Sequence, residues 1–247
     1  MSVSWPLVLA GAFMAEVIGT MAGFGAATIL TPIAALAMDI KTAIALVACF
    51  HLFGNASRLW FFGRQMRWQV WALFGLTGVT CSIVGALLTA RLPSPVVEAL
   101  FGAFLLAYVA LSLIRPVRLP DRPSLLLFGG AASGFIAGVL GTGGAIRSAC
   151  LLAWELPKEA YLGTSAAIAL IVDATRLPVY MAGGLLPMTV WPQVLSLMVV
   201  AFTGAATGQR LVRRVPDQAF RRLVLALLVL MGVRMVWHGL LGIAQGG

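Results

Sequence analysis

The sequence predicts an all-α polytopic membrane protein: about ten hydrophobic segments in two inverted-topology repeats with glycine-broken half-helices. Three observations carry that fold class. The 247-residue chain is 61% hydrophobic and only 10% charged, with a mean hydropathy of +1.00, whereas a soluble domain carries about 25% charged residues. Apolar runs recur along nearly its whole length, leaving no stretch polar enough for a separate soluble domain. Two motifs also recur at one spacing. GFGAATILTP at 23–32 aligns with GTGGAIRSAC at 141–150, and NASRL at 55–59 with DATRL at 173–177, both 118 positions apart (141 − 23 and 173 − 55). Two motifs at one offset mark an internal duplication.

The elements follow in order. Segment 5–22 is apolar, and its MSVS flank has no Lys or Arg, so it reads as a retained helix rather than a cleaved signal peptide. Segment 25–38 follows a glycine cluster and is too short to cross upright, as a broken or re-entrant helix would be. Segments 42–62, 68–90 and 95–114 complete the first repeat, 1–115. A basic cytoplasmic linker, 116–123, leads to the second repeat, 124–247. There the segments are 124–140, 143–155, 160–181, 190–208 and 219–241, and 143–155 is again short and preceded by glycines.

Five segments per repeat is an odd number, so the second copy enters from the opposite side. Loop charge agrees. Arg64 and Arg67 follow the third segment, while the equivalent loop MAGGLLPM has none. Arg91 stands alone after the fourth segment, while its counterpart carries Arg210, Arg213, Arg214, Arg221 and Arg222. Positive charge thus switches between equivalent loops, as inversion under the positive-inside rule requires. Arg115, at the end of the first repeat, and Arg118 and Arg122 of the linker fall on the same, cytoplasmic side. Both termini are expected to be periplasmic.

The net charge of +9 is explained by those loops, and nucleic acid is not an expected partner. Cys49, Cys81 and Cys150 sit singly in apolar runs, without metal or disulfide spacing. The expected partners are the lipid bilayer and a small anion, with protons as a possible coupling ion and a homo-oligomer left open. No cofactor or metal site is expected.

The anion expectation comes from the breaks. A half-helix beginning inside the membrane points unsatisfied N–H groups and its positive dipole end at the midplane, where transporters place substrates. Gly23, Gly25, Gly141, Gly143 and Gly144 allow the turns and close approach that this needs. Taken singly, each is better explained by helix packing; two clusters at matching places in both halves favour the ligand reading. Arg147 lies in the first turn of the second half-helix, where the dipole disfavours a cation unless an anion is shared. It either meets the substrate or snorkels to the interface.

Arg58 and Arg176 are equivalent by the offset, each three residues after a polar partner, Asn55 or Asp173. Asp173 can neutralise Arg176. Asn55 cannot neutralise Arg58, which is therefore expected to keep a charge for the anion. Thr28, Thr31, Thr164 and Ser165 offer hydroxyls, although such groups often only bond the preceding turn. Glu16 reads as an unpaired carboxylate and, with His51 and Asp173, is a candidate for ion coupling. His238 reads as interfacial.

Catalysis has little support. There is no H-E-x-x-H motif, no phosphate-binding Gly-Lys-Ser/Thr loop, and Ser133-Gly134 lacks both the glycine expected before it and a partner histidine. The chain is expected not to be an enzyme.

The paired glycine motifs, the ten-segment duplication and the stretch AYLGTSAAI at 160–168 resemble the sulfite exporter TauE/SafE family of membrane permeases (4-toluene sulfonate uptake permease-like). The resemblance covers nearly the whole chain. It implies secondary transport of sulfite, sulfonates or related organosulfur anions across the inner membrane, with glycine turns at Gly23, Gly25, Gly141, Gly143 and Gly144. An anion channel is the alternative, and an intramembrane enzyme a more distant one. The sequence departs from the family pattern at Ala26, Cys150 and Arg147. The topology has a direct check: an N-terminal tag on intact cells should be reached by a membrane-impermeant probe, and access only from the cytoplasm would refute it.

Overall fold

A computed structural model describes residues 4–22, 26–113, 121–211 and 218–245, apart from the side chains of 22 and 218–224. Among the described residues are ten α-helices and no strand. In the first half these are α1 (Trp5–Ala22), α2 (Ala26–Ala34), α3 (Ile40–Phe62), α4 (Trp68–Arg91) and α5 (Ser94–Leu113). In the second they are α6 (Pro123–Leu140), α7 (Gly144–Leu152), α8 (Lys158–Ala182), α9 (Trp191–Leu211) and α10 (Gln218–Ala244). Seven helices among the described residues are long and apolar enough to cross a membrane. The chain is an all-α polytopic membrane protein. α2 and α7 have nine residues each, about 14 Å at 1.5 Å per residue, well short of a bilayer core of about 30 Å.

The helix pairing repeats between the halves. α4 packs on α6, and the equivalent pair α9 and α1 also packs; α4 with α8 is matched by α9 with α3. α3 packs on its own equivalent α8, and α5 on its equivalent α10. Both of these self-equivalent pairs run antiparallel. The C-terminal end of α3 at Phe62 meets Gly163 near the start of α8, and Asn55 bonds Asp173 further along. Gly102 in α5 approaches Gly232, while Ala99, one turn earlier, approaches Gly239.

The contact between α4 and α6 is built on glycine. In lipid, association gains little from apolar burial, so small residues that let backbones touch supply van der Waals contact instead. Along α6, Gly130, Gly134 and Gly138 lie directly against the α4 backbone at Phe74, Gly78 and Ser82. The break between α6 and α7 is also specific. Gly141 ends α6 at φ 75°, in the left-handed region, with its N–H on Ala137 O, a conformation that costs glycine nothing.

Gly134→Ala should lower the thermal unfolding temperature in detergent, because its methyl group would meet the Gly78 backbone. Overpacking of this kind costs about 1–3 kcal/mol. Gly75→Ala, where the added methyl meets nothing within 4 Å, should leave unfolding nearly unchanged.

Candidate functional site

Between the two half-helices lies a cavity of about 20 Å³, room for roughly one water. Its wall includes the starts of both half-helices, Ala26 and Ala27 from α2 and Gly143 and Gly144 from α7. Thr28 Oγ1 meets Thr142 Oγ1 at 2.9 Å, so one hydroxyl contact ties the first turn of α2 to the turn before α7. Ser133 Oγ donates to Gly143 O at 2.8 Å, holding that turn against α6.

The sequence-predicted residues gather here to different degrees. Gly141, Gly143, Gly144, Arg58, Arg147, Arg176, His51 and Asp173 line the cavity. Asn55 and Glu16 stand behind them, both buried. Gly23 and Gly25 lie outside the described residues. Thr164 is elsewhere: its Oγ1 accepts from the Arg67 N–H at 2.9 Å, at the entry to α4, where an orphan donor needs a partner. Ser165 is not in the cavity wall, but its Oγ accepts from Arg147 Nε at 3.0 Å. Thr31 is buried and has no hydrogen-bond partner among the described residues. His238 is exposed.

Two expectations about charge are corrected. Glu16 is paired, and Arg58 is neutralised: Arg58 Nη2 forms an ion pair with Glu16 Oε1. The partners are 42 residues apart on different helices, so spacing along one helix could not reveal them. Gly54 and Gly204 make room for the carboxylate. A side chain at Gly54 would meet the Glu16 carboxylate at 2.6 Å, and one at Gly204 would meet Glu16 Cβ at 2.8 Å.

From that pair a continuous chain of contacts crosses the molecule. Arg58 Nε donates to Thr20 Oγ1 at 3.0 Å and Nη1 to Asn55 Oδ1 at 2.8 Å. Asn55 Nδ2 donates to Asp173 Oδ2 at 3.1 Å. Asp173 Oδ1 accepts from Arg176 Nη2 at 2.7 Å and Nε at 2.9 Å. Arg176 also donates to Ala137 O, and to Gly141 O at 3.1 Å, so it caps the end of α6. Tyr180 donates to Gly138 O beside it. The Asn55–Asp173 bond joins residues 118 positions apart, so the two copies of the motif touch at matching positions.

Thr20, Thr142 and Tyr180 escaped the sequence reading. Thr142 stands inside the glycine motif itself, and Thr20 one helical turn after Glu16, so both were visible in principle. Tyr180 carried no signal apart from its spacing of four from Arg176.

Arg147 differs from the other two arginines. It is buried at 8% exposure, yet no described carboxylate lies within 4.0 Å of it. His51 offers a second open group in the same wall. Its Nδ1 is 4.0 Å from Asp173 Oδ2, beyond hydrogen bonding, and its buried Nε2 has no partner among the described residues. The wall therefore presents half-helix N–H ends, a guanidinium and an imidazole, which suit an oxyanion.

The model of the sulfite exporter TauE/SafE family matches residues 7–235. No curated protein and no solved structure matches the chain.

The ion pair makes a stability prediction. Glu16→Ala strands the buried Arg58 charge and should destabilise by about 3–5 kcal/mol, while replacing both by apolar residues of similar volume should recover most of that loss. Thermal unfolding in detergent measures both.

Proposed function

Since the chain belongs to the sulfite exporter TauE/SafE family, and is thus a membrane transporter, we propose that it carries a small sulfur-containing anion across the bacterial inner membrane by alternating access. The anion would be sulfite, a sulfonate or a related organosulfur species. One observation carries the site assignment: Arg147 is a buried guanidinium without a carboxylate partner, on a cavity where both half-helices begin. A buried charge is costly unless paired, and a bound anion supplies the missing partner. Gly143, Gly144 and the start of α2 add backbone N–H groups to its oxygens. Arg58 and Arg176, already paired, contribute field and fix the shape of the wall.

The carrier reading draws support from the small size of the cavity and the pairing of the helices. A space for one water has to widen before a sulfur oxyanion fits, and the antiparallel pairing of α3 with α8 suits two inverted repeats rocking against each other. The hinge region would be the Asn55–Asp173 contact. Gln65, Lys158 and Arg210 line one further cavity of about 400 Å³, which puts the loop after α3 and the end of α9 at one face. We assign that face to the cytoplasm, with both termini on the periplasmic side. Proton coupling would use His51 or Glu16, whose Nε2 and Oε2 lack partners among the described residues.

Arg147→Ala should abolish anion binding in detergent while leaving a folded, monodisperse protein. Removing one member of a buried charge pair costs about 2–5 kcal/mol of binding. Unchanged affinity for sulfite, thiosulfate and sulfonates in a thermal-shift screen would remove Arg147 from the site. In proteoliposomes, saturable flux with counterflow is the expected result, and flux that neither saturates nor exchanges would replace the carrier with a channel.

A further inference from the structure

The valence of the transported anion follows from the charges around the cavity. The buried charged residues among those described are Glu16, Arg58, Arg147, Asp173 and Arg176. They are three guanidinium cations and two carboxylates, and every one belongs to the cavity wall or to an ion pair with it. Both carboxylates are held by arginine, Glu16 by Arg58 and Asp173 by Arg176, contacts that favour the charged form of each, and the count takes them as charged. Tyr180 donates its hydroxyl proton to Gly138 O and is neutral. His51 adds charge only when protonated. With His51 neutral, the cluster carries a net charge of one positive unit, and that unit resides on Arg147.

We propose that the site selects for a single negative charge, binding a monoanion of the R–SO₃⁻ type, a sulfonate or hydrogensulfite, in preference to a dianion. The inference rests on the anion-binding reading of Arg147. A monoanion brings the buried cluster to neutrality. A dianion of the same size leaves one negative charge unbalanced in a water-sized space, with two carboxylates already within the cluster. Uncompensated charge is penalised most where the dielectric is low. The hydroxyl of Thr142, on the cavity wall and bonded to Thr28 behind it, and the half-helix N–H groups discriminate poorly between the two, because they serve any sulfur-bound oxygen. Valence is read by the arginine count, and oxygen geometry by the turns.

Methanesulfonate and sulfate make the test. They are tetrahedral and nearly equal in size but differ by one charge. Binding to the detergent-purified full chain would be measured by calorimetry at pH 8, above the ordinary histidine value of about 6.5, so that His51 is neutral. Methanesulfonate should bind tighter than sulfate by on the order of tenfold or more. Glu16→Gln preserves the shape of the Glu16 side chain and raises the net charge to two, so the preference should shrink or reverse. Sulfate binding as tightly as methanesulfonate to the wild-type protein overturns the valence inference and leaves Arg147 as an anion site. Failure of both anions to bind overturns the anion-site reading and the valence inference with it. If the Glu16→Gln protein does not fold, the wild-type comparison still decides.

Discussion

A buried chain of alternating charge organises this molecule: Glu16, Arg58, Asn55, Asp173 and Arg176, linked end to end across four contacts. In a bilayer each of these groups is costly by itself, so the helices that carry them cannot drift apart. α1 is bound to α3 through Glu16, α3 to α8 through Asn55, and α8 to the end of α6 through Arg176 and its carbonyl partners. The glycine-lined contacts serve the same arrangement. Gly54 and Gly204 leave the slot into which the Glu16 carboxylate fits, and Gly134 and Gly138 let α6 lie flat on α4. Packing in lipid supplies proximity, and the polar chain supplies register.

The half-helices depend on that frame. α2 and α7 are too short to cross, and their starts are placed by other elements: α7 by Gly141, Ser133 and the guanidinium of Arg176, α2 by the Thr28–Thr142 contact. Arg176 therefore does two things at once. It neutralises Asp173 and it donates to Ala137 O and Gly141 O at the end of α6. A helix that ends inside a membrane requires such partners, and Arg176 shares the task with Tyr180 and Thr89, which donate to Gly138 O and Val139 O.

How much of this was legible follows from the range of each signal. Apolar runs and their glycine breaks are local, so the helices and the short α2 and α7 could be read within a few residues of their observed bounds. The 118-residue offset is long-range but carried by sequence identity, and it made Asn55 and Asp173 equivalent positions; that the two touch is seen only in the structure. The Asp173–Arg176 pair sits three residues apart on one helix and was equally visible. The Glu16–Arg58 pair was not. No helical period connects positions 42 residues apart, and the glycines that admit the carboxylate look like ordinary packing residues. Thr164 failed for the opposite reason: its neighbour Ser165 does support Arg147, but a step of one residue on a helix turns a side chain by about 100°, toward Arg67 instead.

Where the two halves of the sequence depart from one another bears on the proposed charge balance. Two identical copies around one axis contribute equal charges, so their sum is even, and a site built that way cannot be neutralised by one monoanion. Here the symmetric pair Arg58 and Arg176 contributes two positive charges. Three positions then break the equivalence. Glu16 aligns with Gly134 at the 118-residue offset, Asp173 with Asn55, and Arg147 with Ile29. The first two subtract one charge each and the third adds one, leaving an odd total. The Asn55–Asp173 position shows why the asymmetry also had to be placed with care. Those residues touch at 3.1 Å, and two aspartates there would set like charges against each other at the centre of the protein. An amide against a carboxylate turns that repulsion into a hydrogen bond and lets the Arg58 and Arg176 halves of the network join.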